Sequence, residues 1–177
     1  MKSIYTEKLK VRVSEVTNLI DELCETNYLQ EKLGFPEGVE LDIEKLVVGG
    51  HSFGGCTAVK IASIDPRVKV LYGFDPWLWP LREEIDSGDI HIKVPQHYIT
   101  TDEFEIRCKE MFHYSTITYT KNMIKKSDHP KEGETIILLN SSHYFQTDAV
   151  VIIHLESAMA TCNYLKVDAA DYYLSNS

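Results

Sequence analysis

Apolar and polar positions follow two rhythms along this chain. Over residues 6–33, Val13, Val16, Ile20 and Leu23 recur three and four apart with Leu19 beside them, and Gly34 and Pro36 follow. That spacing predicts one amphipathic helix with a stop signal behind it. Beyond it come short continuous apolar runs bounded by turn residues, which predict buried strands over 45–49, 68–74, 94–100 and 135–139. Helical stretches fall between them, one from Cys56 to about Ile64 and one over 103–126 with a β-branched centre at Thr116-Ile117-Thr118. A last helix is expected from Thr147 or Asp148, carrying Val150, Val151, Ile153, His154 and Ala158. Strands separated by helices predict βαβ units, a parallel sheet and an α/β architecture. Such sheets open their crevice at the carboxyl ends of the strands, so chemistry is expected there.

Composition narrows the function classes. At 177 residues, 44% hydrophobic and 25% charged, the chain fits one globular domain with a real core. A net charge of −9 argues against a nucleic-acid partner, because phosphate binding needs a basic face. No apolar run approaches the ~20 residues of a membrane span. The opening Met1-Lys2-Ser3-Ile4-Tyr5 does not lead into the apolar core of a signal peptide, and localisation is left open. Cys24, Cys56, Cys108 and Cys162 are irregularly spaced without a C-x-x-C pair, so buried thiols are expected rather than disulfides or a zinc site. Seven histidines show no metal spacing, and neither a metal nor another cofactor is expected.

One motif carries chemistry. The strand 45–49 runs directly into Gly50-His51-Ser52-Phe53-Gly54-Gly55 and then into a helix of small residues. A strand, G-x-S-x-G and a helix make the nucleophile-elbow pattern of α/β-hydrolases. Ser52 must occupy a sharp, strained turn that lifts its hydroxyl out of the sheet, and Gly50 and Gly54 are expected to leave the room that turn needs. The alternative is an ordinary tight turn with an idle serine.

A serine nucleophile needs a base, and the base needs a carboxylate that sets its tautomer. In this fold they follow in the order serine, acid, histidine, each on a loop after a strand. Ser52, Asp75 and His143 fit that order. His91 and His97 precede or lie within the third strand, His113 and His154 fall within predicted helices, and His129 is in a turn before Pro130; these are read as solvated or packed. Asp102, at the end of the third strand, competes with Asp75 for the role of acid. Each also has an ordinary reading, Asp102 as a helix N-cap before Glu103 and Asp75 as half of an Asp-Pro turn.

Three segments together resemble the platelet-activating factor acetylhydrolases, calcium-independent phospholipases A2 of α/β-hydrolase fold. They are the elbow, the stretch Phe74-Asp75-Pro76-Trp77-Leu78-Trp79-Pro80, and Ser142-His143-Tyr144-Phe145. Leu41-Asp42-Ile43-Glu44-Lys45-Leu46 is also similar to the run that enters the family's elbow strand, and the resemblance covers about residues 10 to 165. The family's D-x-W-x-x-P stretch supplies the triad acid, so the resemblance implies Ser52 as nucleophile, Asp75 as acid in preference to Asp102, and His143 as base.

The implied reaction is hydrolysis of a short or oxidised acyl ester at the sn-2 position of a phospholipid, through an acyl-enzyme. The Phe53 N–H would serve the oxyanion, as the residue after the nucleophile does in this fold. Trp77, Leu78 and Trp79 would wall the acyl or alkyl pocket or touch a lipid surface, with packing of their own loop as the plainer alternative. Family members carry a long segment ahead of the elbow that supplies earlier strands and a second oxyanion N–H. Here one helix precedes the elbow strand. Residues 1–177 are therefore expected to form a single partial domain, the carboxyl-terminal half of a mainly parallel sheet, that requires the missing amino-terminal half. A generic carboxylesterase and a truncated, non-catalytic binding module are the other readings.

Overall fold

The structure, a computed structural model, describes residues 2–25 and 28–146. The expected last helix, His154 and Cys162 lie outside the described residues. Four parallel strands form one sheet in the order β1 (Val47–His51), β2 (Val70–Phe74), β3 (Gln96–Thr101) and β4 (Glu134–Leu138). Sequential order with parallel pairing demands a crossover between each pair of strands, and helical segments occupy every crossover. Helix α3 (Phe53–Ile64) joins β1 to β2, and α4 (Arg82–Ser87) follows β2. Helices α5 (Asp102–Phe112) and α6 (Thr116–Lys126) join β3 to β4. Helices flank a parallel sheet, and the fold is α/β-hydrolase-like.

The amino-terminal helical pattern breaks into two elements, α1 (Lys2–Leu23) and α2 (Tyr28–Leu33), rather than one. The predicted helix 103–126 is likewise two. His113 caps α5 in a left-handed conformation at φ 55°, and Ser115 caps α6 by accepting a hydrogen bond from Thr118 N–H. His113 therefore ends a helix instead of lying within one, because a left-handed residue cannot propagate the helical bonds. Helix α4 and a short 3-10 turn at Trp79–Leu81 were not foreshadowed by any periodicity. Six residues show too little of a 3.6 period to be seen.

Period-two burial places the core. In register, Val48 lies beside Leu71, and Gly73 beside Tyr98, all on the buried face of the sheet. Val47, Tyr72, Phe74 and Ile136 alternate with them and remain exposed on the other face. Helix α3 packs on β1 and β2 through Cys56, Val59 and Ile61, each nearly or wholly buried. Helix α1 lies over α3, with Leu9 and Ile20 in the same core. Cys56 and Cys108 are buried free thiols as expected, whereas Cys24 is exposed beyond the end of α1. Among the described residues, no helix is long and apolar enough to cross a membrane.

Candidate active site

The three residues singled out in the sequence each follow the carboxyl end of a strand, and the structure brings Asp75 and His143 into contact. Ser52 follows β1 directly, Asp75 follows β2 directly, and His143 opens a 3-10 turn after β4. Ser52 sits at φ 56° and ψ −118°, a backbone conformation that non-glycine residues rarely adopt. The turn is held from both sides. Ser52 N–H donates to the Phe74 carbonyl at 2.9 Å, and Trp77 N–H donates to the Ser52 carbonyl at 2.9 Å. Asp75 is also left-handed, at φ 43°, with its N–H donating to the Ile99 carbonyl at 2.8 Å.

The glycines divide their work differently from the sequence expectation. A Cβ on Gly50 would fall 2.4 Å from the Gly54 carbonyl carbon, whereas one on Gly54 would meet nothing within 4 Å. The second crowded position is Gly55, where a Cβ would come within 2.9 Å of the Gly50 carbonyl oxygen and 3.0 Å of Pro76. Gly54 therefore owes nothing to its own side of the contact; its backbone is what Gly50 must avoid. Gly50→Ala drives a side chain into main chain that cannot rotate away, and is expected to cost at least the ~1–3 kcal/mol of core overpacking. A thermal melt measures it, and an unchanged midpoint would contradict the crowding.

Asp75 is fully buried and accepts hydrogen bonds on both oxygens. Thr101 N–H donates to Oδ1 at 2.6 Å and the Thr101 hydroxyl to Oδ2 at 2.8 Å. His143 Nδ1 lies 3.1 Å from the same Oδ2. A carboxylate oxygen can only accept from imidazole there, which places the His143 proton on Nδ1 and leaves Nε2 with its lone pair. Burial of a carboxylate demands such partners, since an uncompensated one is prohibitively costly.

The first turn of α5 builds the rest. Thr101 is its N-cap, so the expected capping role passes from Asp102 to Thr101, whose hydroxyl accepts from Phe104 N–H. Asp102 faces the loop after β4 and accepts from Asn140 N–H at 2.8 Å and Ser141 N–H at 3.2 Å. Glu103 accepts from His143 N–H at 3.2 Å and pairs with Arg107. The Phe104 ring stacks on the His143 imidazole at 4.4 Å and 11°. Asp102 thus holds the backbone leading to His143, while Asp75 holds its ring. Asp102→Asn keeps one acceptor oxygen for that loop and sets its amide against the remaining N–H, and since it leaves the His143 ring bond to Asp75 in place it is expected to lower turnover less than tenfold, far less than the same change at Asp75. Equal losses from the two changes would reverse the assignment.

His51, Asp75 and His143 bring ligand-type atoms within 4.8 Å of one another. Those atoms are already committed: His51 Nε2 lies 2.9 Å from the His143 carbonyl, and His143 Nδ1 faces Asp75. These two hydrogen bonds account for how close the three side chains lie. Burial lowers the affinity of His51 for a proton, with the charge that His143 carries when protonated as the next contribution.

Trp77 and Trp79 stack at 5.9 Å and 11°, and both pack against Phe112. Tyr5 of α1 meets Trp77 edge-on at 4.8 Å and Phe53 at 6.1 Å. Leu78 is wholly buried in the core. The aromatic cluster therefore adjoins Phe53, the residue after Ser52. Thr101, Glu103, Phe104, Tyr5 and His51 escaped the sequence reading as site residues. Thr101, Glu103 and Phe104 could have drawn attention by following the third strand and His51 by standing beside the serine, whereas nothing in the sequence marks Tyr5.

The chain resembles known proteins over much of its length. It is 31% identical over 106 residues to a platelet-activating factor acetylhydrolase of Cavia porcellus, covering 59% of this chain and 21% of that protein. It is 29% identical over 102 residues to that of Bos taurus, covering 55% and 20%. The Canis lupus familiaris protein of the same name is 30% identical over 104 residues, covering 56% and 23%. The chain thus spans about a fifth of the length of these curated relatives. The family model for platelet-activating factor acetylhydrolase, isoform II, matches residues 6–164, and with nearly the whole chain inside that match, the chain belongs to this family.

Proposed function

We propose that this chain carries the nucleophile, base and acid of a serine ester hydrolase acting on phospholipids with a short or oxidised acyl chain. The observation that carries the reading is the buried Asp75–His143 pair, with Nδ1 to Oδ2 at 3.1 Å, at the sheet edge where Ser52 occupies a strained turn. Membership of the acetylhydrolase family and relatives named platelet-activating factor acetylhydrolase support the choice of substrate class.

In this reading Ser52 Oγ attacks the sn-2 ester carbonyl while His143 Nε2 takes its proton. Asp75 stabilises the imidazolium that forms. The Phe53 N–H belongs to the first turn of α3, where backbone donors have no helical partner, and it points its dipole at the oxyanion. The tetrahedral intermediate collapses to the Ser52 acyl ester as His143 returns the proton to the departing lysophospholipid oxygen. Water, deprotonated by His143, then attacks the acyl-enzyme and releases the short carboxylic acid and free Ser52. The aromatic cluster of Tyr5, Phe53, Trp77 and Trp79 is positioned to meet the acyl chain or a lipid surface.

Among the described residues β1 is at the edge of the sheet, with Val47 half exposed, and a neighbouring segment along that edge belongs to this proposal as the source of a second oxyanion donor. A chain in which such a donor is in place is expected to turn over about 10²–10³-fold faster than one in which it is absent. The experiment is hydrolysis of 1-alkyl-2-acetyl-glycerophosphocholine beside its long-acyl counterpart and a soluble acetate ester. Preference for the short-acyl phospholipid supports the reading. Equal rates on all short esters would favour a generic carboxylesterase, and no turnover of any by a chain with the second donor would favour a non-catalytic binding module.

A further inference from the structure

We infer that His51 is a positioning residue for His143, tying the residue beside the nucleophile to the main chain of the base. The inference rests on the ester-hydrolase reading above and adds to it a fourth side chain. His51 ends β1 and immediately precedes Ser52. Its Nε2 lies 2.9 Å from the His143 carbonyl oxygen, a contact across 92 residues of sequence. A carbonyl has no proton to give, so Nε2 carries it and His51 is the donor. Its imidazole also packs on that of His143, with centroids 4.2 Å apart at 31°.

His143 sits at the start of a 3-10 turn, where a main-chain N–H has no partner within the turn. Both of its main-chain groups are taken by side chains from other elements: Glu103 of α5 accepts the N–H, and His51 of β1 donates to the C=O. Asp75 holds Nδ1 and Phe104 stacks on the ring. These contacts leave the imidazole few ways to move. The tie from His51 is distinctive because it springs from the backbone that aims Ser52, so nucleophile and base share one rigid reference. Partial burial, followed by the charge His143 carries when protonated, lowers the affinity of His51 for a proton, while its hydrogen bond to the His143 carbonyl works in the opposite direction.

Two substitutions separate the hydrogen bond from the ring. His51→Phe keeps an aromatic ring and removes the donor. His51→Gln places an amide N–H close to the position of Nε2 and removes the ring. With a short acetate ester, His51→Phe is expected to lower kcat about 10–100-fold at nearly constant KM, because a small misplacement of a reacting group costs that much. His51→Gln should recover most of the loss, and the rate of Ser52 phosphonylation by a fluorophosphonate should follow the same order. A merely structural role would reduce thermal stability in both variants without the recovery by Gln or the confinement to kcat.

A measurement on the wild-type chain needs no activity. Long-range ¹H–¹⁵N spectra of the histidine rings should show His51 as the Nε2–H tautomer, with that proton protected from exchange with water. Wild-type rates in His51→Phe, equal loss in both variants, or His51 found as the Nδ1–H tautomer would each overturn the inference. A folded chain that carries the second oxyanion donor and shows the Nε2–H tautomer yet leaves Ser52 unlabelled would overturn the ester-hydrolase reading, and the positioning role would fall with it. Should His51→Phe fail to fold, His51→Gln and the wild-type spectrum decide the question.

Discussion

Ser52→Ala is expected to remove ester hydrolysis, lowering kcat by about 10⁴-fold or more, with the fold intact. The size follows from the division of labour. Without Oγ no acyl-enzyme forms, and what survives is binding and the oxyanion donor. The alanine methyl replaces a hydroxyl at a partly exposed position, so little packing is lost. Strain at φ 56° is the same for alanine as for serine, which keeps the effect in chemistry and out of folding. His143→Ala should give a loss of similar size, and combining the two should add little, because residues that act as a unit are not additive. Steady-state turnover of a short-acyl ester, with a thermal melt as control, measures all three. A Ser52→Ala chain retaining a tenth of the activity would exclude Ser52 as the nucleophile.

Asp75→Asn is the second large effect, expected at about 10⁴-fold in kcat, and its cause is the geometry of Thr101. Thr101 N–H donates to Oδ1 at 2.6 Å, and a backbone donor permits only oxygen there. The new amide nitrogen is thereby forced into the place of Oδ2. There it can donate to the Thr101 hydroxyl, which also accepts, and to His143 Nδ1, which must then accept. The proton of His143 moves to Nε2, the position that the mechanism needs bare. The residue remains isosteric and hydrogen-bonded, so the melt should shift little while turnover collapses. A pH–rate profile of the variant checks the cause: hydroxide-assisted turnover rising toward high pH is expected, because the wrong tautomer must lose its Nε2 proton. Wild-type turnover in Asp75→Asn would remove Asp75 from the role of acid.

Some of this site can be read from the chain alone. The elbow is legible because it combines a strand, a crowded glycine and a small-residue helix within a few positions. Asp75 and His143 are legible because each follows an apolar run, and parallel strands bring their carboxyl ends to one edge. The supports are not legible. Thr101, Asp102, Glu103 and Phe104 look like an ordinary helix start, and their partners at Asp75 and residues 140–143 lie in other crossovers. Only the register of β2, β3 and β4 puts that turn between Asp75 and His143. The break between α5 and α6 was hidden for a different reason: His113 reads as helical by neighbourhood, and nothing in the local spacing marks its left-handed conformation, after which α6 packs on β3 and β4. Local spacing likewise pointed to Gly54, whereas the three-dimensional contact falls on Gly50 and Gly55.

The central claim is that the chain assembles an activated serine at position 52. The direct measurement is labelling of the purified, folded chain with a fluorophosphonate probe, followed by mass spectrometry of the modified peptide, beside Ser52→Ala. One phosphonyl group per chain on Ser52, absent in the alanine variant, is the result predicted. Labelling elsewhere, or an unlabelled chain that is folded and carries the second oxyanion donor, would contradict it.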